Sequence, residues 1–251
     1  MAVVFDVNSM RDDFRVFAKA AAKFIQGKTT RFHELEVALD YAVRHAHAAG
    51  REFTWSTKKA LDPDPIRTIP SDTYRNAATL AKKLVAEITF DLQCELIGIE
   101  RSEIRVASGS TAVSFFKEAE DGGPLKEVHF DIHGADVGST AGHPVLHVQV
   151  LGGLNDIPRI PIPFVHPLDV LEFTLMELFQ AKWRTHRTDS ETRSALGRFP
   201  SRQACRIGHT IRWMFDRMWD GSPYAPLLAL QKQPQRPFNL YDQLTRADSI
   251  T

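Results

Sequence analysis

An α+β fold is predicted, with an antiparallel four-stranded β-meander packed against N-terminal and C-terminal helices, and three observations carry it. Apolar residues recur at helical spacing before residue 50 and after residue 166. Between about 103 and 151 the pattern changes to β-prone runs separated by glycine-rich turns. The order of helices, then strands, then helices indicates segregated layers rather than alternating βα units.

The first element is a helix. Ser9 and Asp12 form a capping pair, Phe14, Phe17, Ala21 and Phe24 follow on one stripe, and Gly27 ends the run. Thr30 caps a second helix with Leu35, Leu39, Ala42 and Ala46 inward, closed by Gly50, so residues 1–50 form a helical hairpin. His33, His45 and His47 share no face and belong on its surface. The prolines of "LDPDPIRTIP" make residues 51–70 an extended connector. Ser71 opens a helix, 71–97, through Ala77, Leu80, Leu84, Ile88, Leu92 and Leu96, although "ITFDLQCEL" also alternates as a strand would.

The meander spans 103–151. "IRVASGSTAVSFF" supplies two runs joined around Ser108, Gly109 and Ser110; "KEVHFDIHG" and "HPVLHVQVLGG" supply two more. "DIPRIPIPFVHP" is a stiff extended segment, since its prolines exclude a central strand. Pro167 suits the first turn of a C-terminal helix bearing Val170, Phe173, Leu175, Leu178 and Phe179. The last helix follows Ser201, with Ile207, Ile211, Met214 and Met218 on one side; together these C-terminal helices occupy 167–220. The tail "QKQPQRPFNL" lies over the surface.

A chain of 251 residues can hold this as one domain, 1–251. Lys plus Arg number 31 and Asp plus Glu number 31, so no global charge steers it to nucleic acid or an anionic membrane. Cys94 and Cys205 are too far apart in sequence to suggest a disulfide framework or a zinc ribbon. The N-terminus lacks a basic start and an apolar region of signal-peptide length, and no apolar run reaches about 18 residues, so a cytoplasmic location and no membrane partner are expected.

Functional interest centres on "VHFDIHGADVGSTAGHPVLHVQV", residues 128–150, which holds four of the ten histidines. Strand parity puts Val128, Phe130, Ile132, Leu146, Val148 and Val150 on a core face. The other face then carries His129, Asp131, His133, His147 and Gln149. Two registers satisfy this parity. One sets His147 opposite Asp131 and Gln149 opposite His129; the other sets His147 opposite His129 and His143 opposite His133.

Two imidazoles near a carboxylate are the parts of acid–base catalysis, with His129 and His147 exchanging protons and Asp131 orienting one ring. A divalent metal is the alternative cofactor. His129, Asp131 and His133 together span about 13 Å of strand and cannot all ligate one ion, so the metal set is Asp131, His133 and His147, with His143 adjustable. "HFDI" and "HVQV" resemble the paired His-apolar-Ser/Thr-apolar motifs of two-histidine phosphoesterases over eight residues. Asp131 and Gln149 stand where that family has hydroxyls and both motifs share one hairpin, so its activity is not carried over. The glycine-rich "GADVGSTAG" lacks the lysine of a P-loop and reads as a hairpin loop able to close over a ligand.

Local positive charge lies at 182–217, where Lys182, Arg184, Arg187, Arg193, Arg198, Arg202, Arg206, Arg212 and Arg217 outnumber Asp189, Glu191 and Asp216. Trp183, Trp213 and Trp219 are interleaved, a mix able to hold phosphates and stack on bases. The leading expectation is therefore a phosphoester-directed hydrolase, a nuclease being one form of it. His129, Asp131 and His147 would be catalytic, and His133, His143, Gln149, Arg159, Arg202 and Arg206 would bind substrate. The alternative is a non-catalytic protein- or nucleic-acid-binding subunit of a multi-component bacterial-type assembly, using the same face.

Overall fold

The computed structural model describes residues 3–27, 30–57, 65–71, 83–97, 102–118, 123–132, 146–151, 159–220 and 238–239. In chain order the elements are β1 (Val3–Asp6), α1 (Val7–Ala21), α2 (Thr30–Ala49), β2 (Glu52–Ser56), β3 (Ile66–Arg67), β4 (Leu84–Ile97) and β5 (Glu103–Lys117). They continue with β6 (Lys126–Ile132), β7 (Leu146–Leu151), β8 (Arg159–Pro161), α3 (Pro167–Thr188), α4 (Ser190–Leu196), α5 (Phe199–Asp220) and β9 (Phe238–Asn239). The fold is α+β.

The strands form one nine-stranded sheet whose main path runs β2-β4-β5-β6-β7-β8, each neighbour antiparallel; β3 pairs with β4, β1 with β5, and β9 parallel to β1. It is larger than the expected four-stranded meander. The run 103–117, read from its Ser-Gly-Ser centre as two strands, is a single strand that stays paired with β4 throughout, shifting register by one bulge between its contacts to Gln93 and Cys94. Gly109 takes φ +155°, and a Cβ there would meet the Asp91 carbonyl oxygen at 2.4 Å, so glycine here permits a close backbone approach rather than a turn.

Residues 84–97 are strand, which overturns the helical expectation for that stretch; residues 72–82 lie outside the described ones. Ala86, Ile88, Phe90, Leu92, Cys94 and Leu96 are all buried on one side, while Asp91 and Gln93 are exposed on the other. A helix would have scattered that set around its circumference. The expected connector contains β2 and β3, and the Pro-rich segment contains β8 at the sheet's edge, where prolines forfeit no ladder bond.

The N-terminal cap also differs. Asp6, at the end of a strand the pattern did not suggest, accepts from the Ser9 N–H at 2.7 Å, so α1 starts earlier than the Ser9 cap implied. Pro167 stands in the first turn of α3 as expected, with the His166 Nδ1 accepting from the Leu168 N–H. Phe173, expected inward, is 40% exposed.

The core lies between the helices and the inner face of the sheet. Phe14 packs against Trp55 with ring centroids 5.2 Å apart, and Trp55 against Phe90 at 4.6 Å, joining α1, β2 and β4. The Trp55 indole N–H donates to the Leu35 carbonyl at 3.2 Å, which seats α2 directly on β2. Cys94 is buried, and burial pushes its thiol far above the ordinary range. No helix among the described residues is long and apolar enough to cross a membrane.

Candidate functional site

The register of the β6–β7 hairpin is the first of the two expected: Asp131 opposes His147 and His129 opposes Gln149. Phe130, Ile132 and Leu146 are buried inward, with Val128 and Val148 packed partly against the core. The pleat therefore directs His129, Asp131, His147 and Gln149 to the outer face.

Pairing with the flanking strands extends this face into two rows. One runs Asp91, Ser110, Asp131, His147, Pro161; the other runs Thr89, Ala112, His129, Gln149, Arg159. Arg159, expected to be the nearest cation, is the backbone register partner of Gln149. His133 and His143, together with the glycine-rich loop, lie outside the described residues.

The two histidines have different surroundings. His147 Nε2 lies 3.4 Å from Asp131 Oδ2, but the ring is fully buried, at 0% exposure. Asp131 keeps 16% side-chain exposure. His129, at 27%, is reachable.

His129 Nε2 is 2.6 Å from Glu127 Oε1, and its Nδ1 is 3.4 Å from Ser110 Oγ. With Nε2–H donating to the carboxylate, Nδ1 is left to accept from the serine hydroxyl. Hydroxyl, imidazole and carboxylate thus stand in the order that activates a nucleophile. The sequence reading missed Ser110 and Glu127. Glu127 was within reach, since it shares the parity of His129 two residues away; Ser110 was hidden because Ser-Gly-Ser resembles a turn. Among the described residues no three His, Cys, Asp or Glu side chains are grouped to hold a metal, and the expected set of Asp131, His133 and His147 includes an undescribed residue.

Arg202 and Arg206 are elsewhere. They lie in α5, within the helical layer that covers the inner face. Arg206 is 3% exposed, with its guanidinium on Asp13 at 2.7 Å and on Asp169 at 2.7 Å. Arg202 bonds Asp12 at 2.6 Å and also Asp13. Arg187 bonds Glu172 at 2.7 Å. These arginines are engaged in holding helices together, so the phosphate-binding face expected of 182–217 loses three of its cations, and Trp183, 1% exposed, is a core residue unable to stack on a base.

The outer face itself is acidic. Glu52, Glu87, Asp91, Glu95, Glu127 and Asp131 share it with three arginines, Arg67, Arg105 and Arg159; Arg67 is paired at 2.9 Å to Glu87 and Arg105 at 3.3 Å to Glu95. Comparison of the chain with protein-family models, curated proteins and solved structures finds no match.

Proposed function

We propose that this protein is a non-catalytic interaction subunit that presents the outer face of its sheet to a basic protein surface. The observation that carries the reading is the excess of carboxylates across β2, β4, β5 and β6, two of which already hold Arg67 and Arg105. Such a field attracts cationic side chains and repels phosphates. The same charge disfavours nucleic acid as partner, because affinity for it comes chiefly from cations laid along the backbone. Octalysine, titrated calorimetrically, is expected to bind with an affinity that falls as salt rises, and to bind more weakly to Glu87→Gln/Asp91→Asn. Tighter binding of a DNA or RNA duplex than of octalysine, or equal binding by the variant, would overturn the proposal.

One observation favours the second reading, a phosphoester hydrolase: the chain from Ser110 through His129 to Glu127. In that case Ser110 Oγ attacks phosphorus as the ester's alcohol leaves, His129 takes the serine proton and returns it to that alcohol, and water then cleaves the phosphoseryl ester, with Asp131 bordering the reacting group. Turnover of bis(p-nitrophenyl) phosphate, with and without added divalent metal, tests it. A hydrolase of this kind loses about 100-fold or more in both Ser110→Ala and His129→Ala; wild type without turnover under either condition excludes it.

A further inference from the structure

The helical layer overhangs the sheet at β2. Along α2, Val37, Ala38, Tyr41 and His45 follow one another at helical spacing, and with Phe53 and Thr54 of β2 they line a groove of about 490 Å³. Tyr41 is 71% exposed and Val37 41%, so two large side chains reach over a place where the described residues put no strand. Among the described residues, β2 pairs only with β4.

The backbone of that edge has a definite polarity. The Leu96 N–H donates to the Arg51 carbonyl at 2.8 Å, which makes residues 51 and 96 a hydrogen-bonded pair. Antiparallel pairs alternate, so Phe53 with Cys94 and Trp55 with Leu92 are the next bonded pairs in the register. Glu52 and Thr54 therefore direct their own N–H and C=O groups away from β4, outward along the edge and beneath the overhang. A row of backbone donors and acceptors beside an apolar shelf is what an added strand needs. A helix, whose backbone bonds are internal, has no use for it.

We infer that the α2–β2 groove receives an extended segment of a partner protein, which adds a strand to β2 and sets alternate apolar side chains under Val37 and Tyr41. The Thr54 N–H donates to the segment and the Thr54 C=O accepts from it. A second copy of this chain fits poorly. Because Trp55 ties α2 onto β2, pairing β2 antiparallel with its twin, which keeps both α2 helices on one face, would bring them to about one strand spacing, roughly 4.8 Å, where packed helices need about 8–10 Å. This inference is independent of the acidic-face proposal, because the edge offers backbone groups and apolar surface rather than charge.

Thr54→Pro tests it, because it removes the edge-directed donor and leaves the β2–β4 ladder its backbone bonds, losing besides only the exposed hydroxyl bond from Thr54 to Gln93 Oε1 at 2.9 Å. Phage-displayed random dodecapeptides are selected on the full-length wild type and counter-selected on Thr54→Pro. Recovered peptides are expected to show alternating apolar residues, to protect the Thr54 amide from hydrogen exchange, and to bind at least about tenfold more weakly to Thr54→Pro and to Tyr41→Glu. Both variants should melt cooperatively, which separates lost binding from lost folding. Failure to enrich peptides against the counter-selection, equal binding by folded Thr54→Pro, or a Thr54 amide already protected in the peptide-free protein would each overturn it, the last by showing that the chain or its twin fills the edge.

Discussion

His166 shows how one ring can couple stability to pH. It is 2% exposed, lies edge-on to Phe5 with centroids 5.0 Å apart, and caps α3 by accepting the Leu168 N–H on Nδ1 at 3.2 Å. That bond assigns the proton of the neutral ring to Nε2, which has no hydrogen-bond partner among the described residues. Burial, helped by the positive charge of Arg206, holds its pKa well below the ordinary value. The folded ring thus stays neutral where the unfolded one takes up a proton, below about pH 6.5. Its contribution to stability is complete above that value and is lost as pH falls towards the folded pKa, with a limiting slope of about 1.4 kcal/mol per pH unit. His166→Asn keeps a capping acceptor and cannot titrate. Urea unfolding across pH 5–7.5 is expected to show a shallower acid-side decline in the variant; parallel curves would rule the account out.

At the scale of elements, the hairpin was readable and β4 was not, for the same physical reason. Parity within 128–150 is unambiguous because its polar positions include His, Asp and Gln, residues that cannot be exchanged with the apolar set without exposing a core. In 84–97, Val85, Ile88, Leu92 and Leu96 satisfy a helical stripe while sitting inside a strand, and only Ala86, Phe90 and Cys94, off that stripe yet buried, decide for the strand. Gly109 misled in the same way, read as punctuation when it marks contact between neighbouring strands. Gly109→Ala is expected to cost about 2–4 kcal/mol, because the new methyl overlaps backbone of β4 rather than a side chain that can swing aside. Its effect should be largest on hydrogen exchange of β4 and β5 amides near Asp91. A variant melting within a degree or two of wild type would show that the strands can separate there at little cost.

For the whole molecule, the ends of the described helical layer are joined by charge. Arg206 of α5 reaches Asp13 of α1, 193 residues earlier in the chain, and Asp169 of α3. Gln203 adds bonds to Asp169 and Glu172. Burial pushes the Asp13 carboxyl above its ordinary value, with Arg206 and Arg202 pulling it back. Arg202 is lowered by burial but raised overall by Asp13 and Asp12. None of this could be seen in the sequence, where arginines off an apolar stripe look solvated and their partners lie far away along the chain. Arg206→Met retains the stem's packing and removes the cation that Asp13 and Asp169 share, leaving Asp169 with only an amide donor among the bonds described above. A loss of about 3–5 kcal/mol follows, the cost of a buried charge without its counter-ion. Adding Asp169→Leu should recover part of that loss, because the uncompensated carboxylate goes with it. If Arg206→Met costs under about 1 kcal/mol in urea unfolding, or if the double variant is weaker than the single by the full cost of Asp169→Leu alone, the two residues do not act as a pair and the helices are held by apolar packing instead.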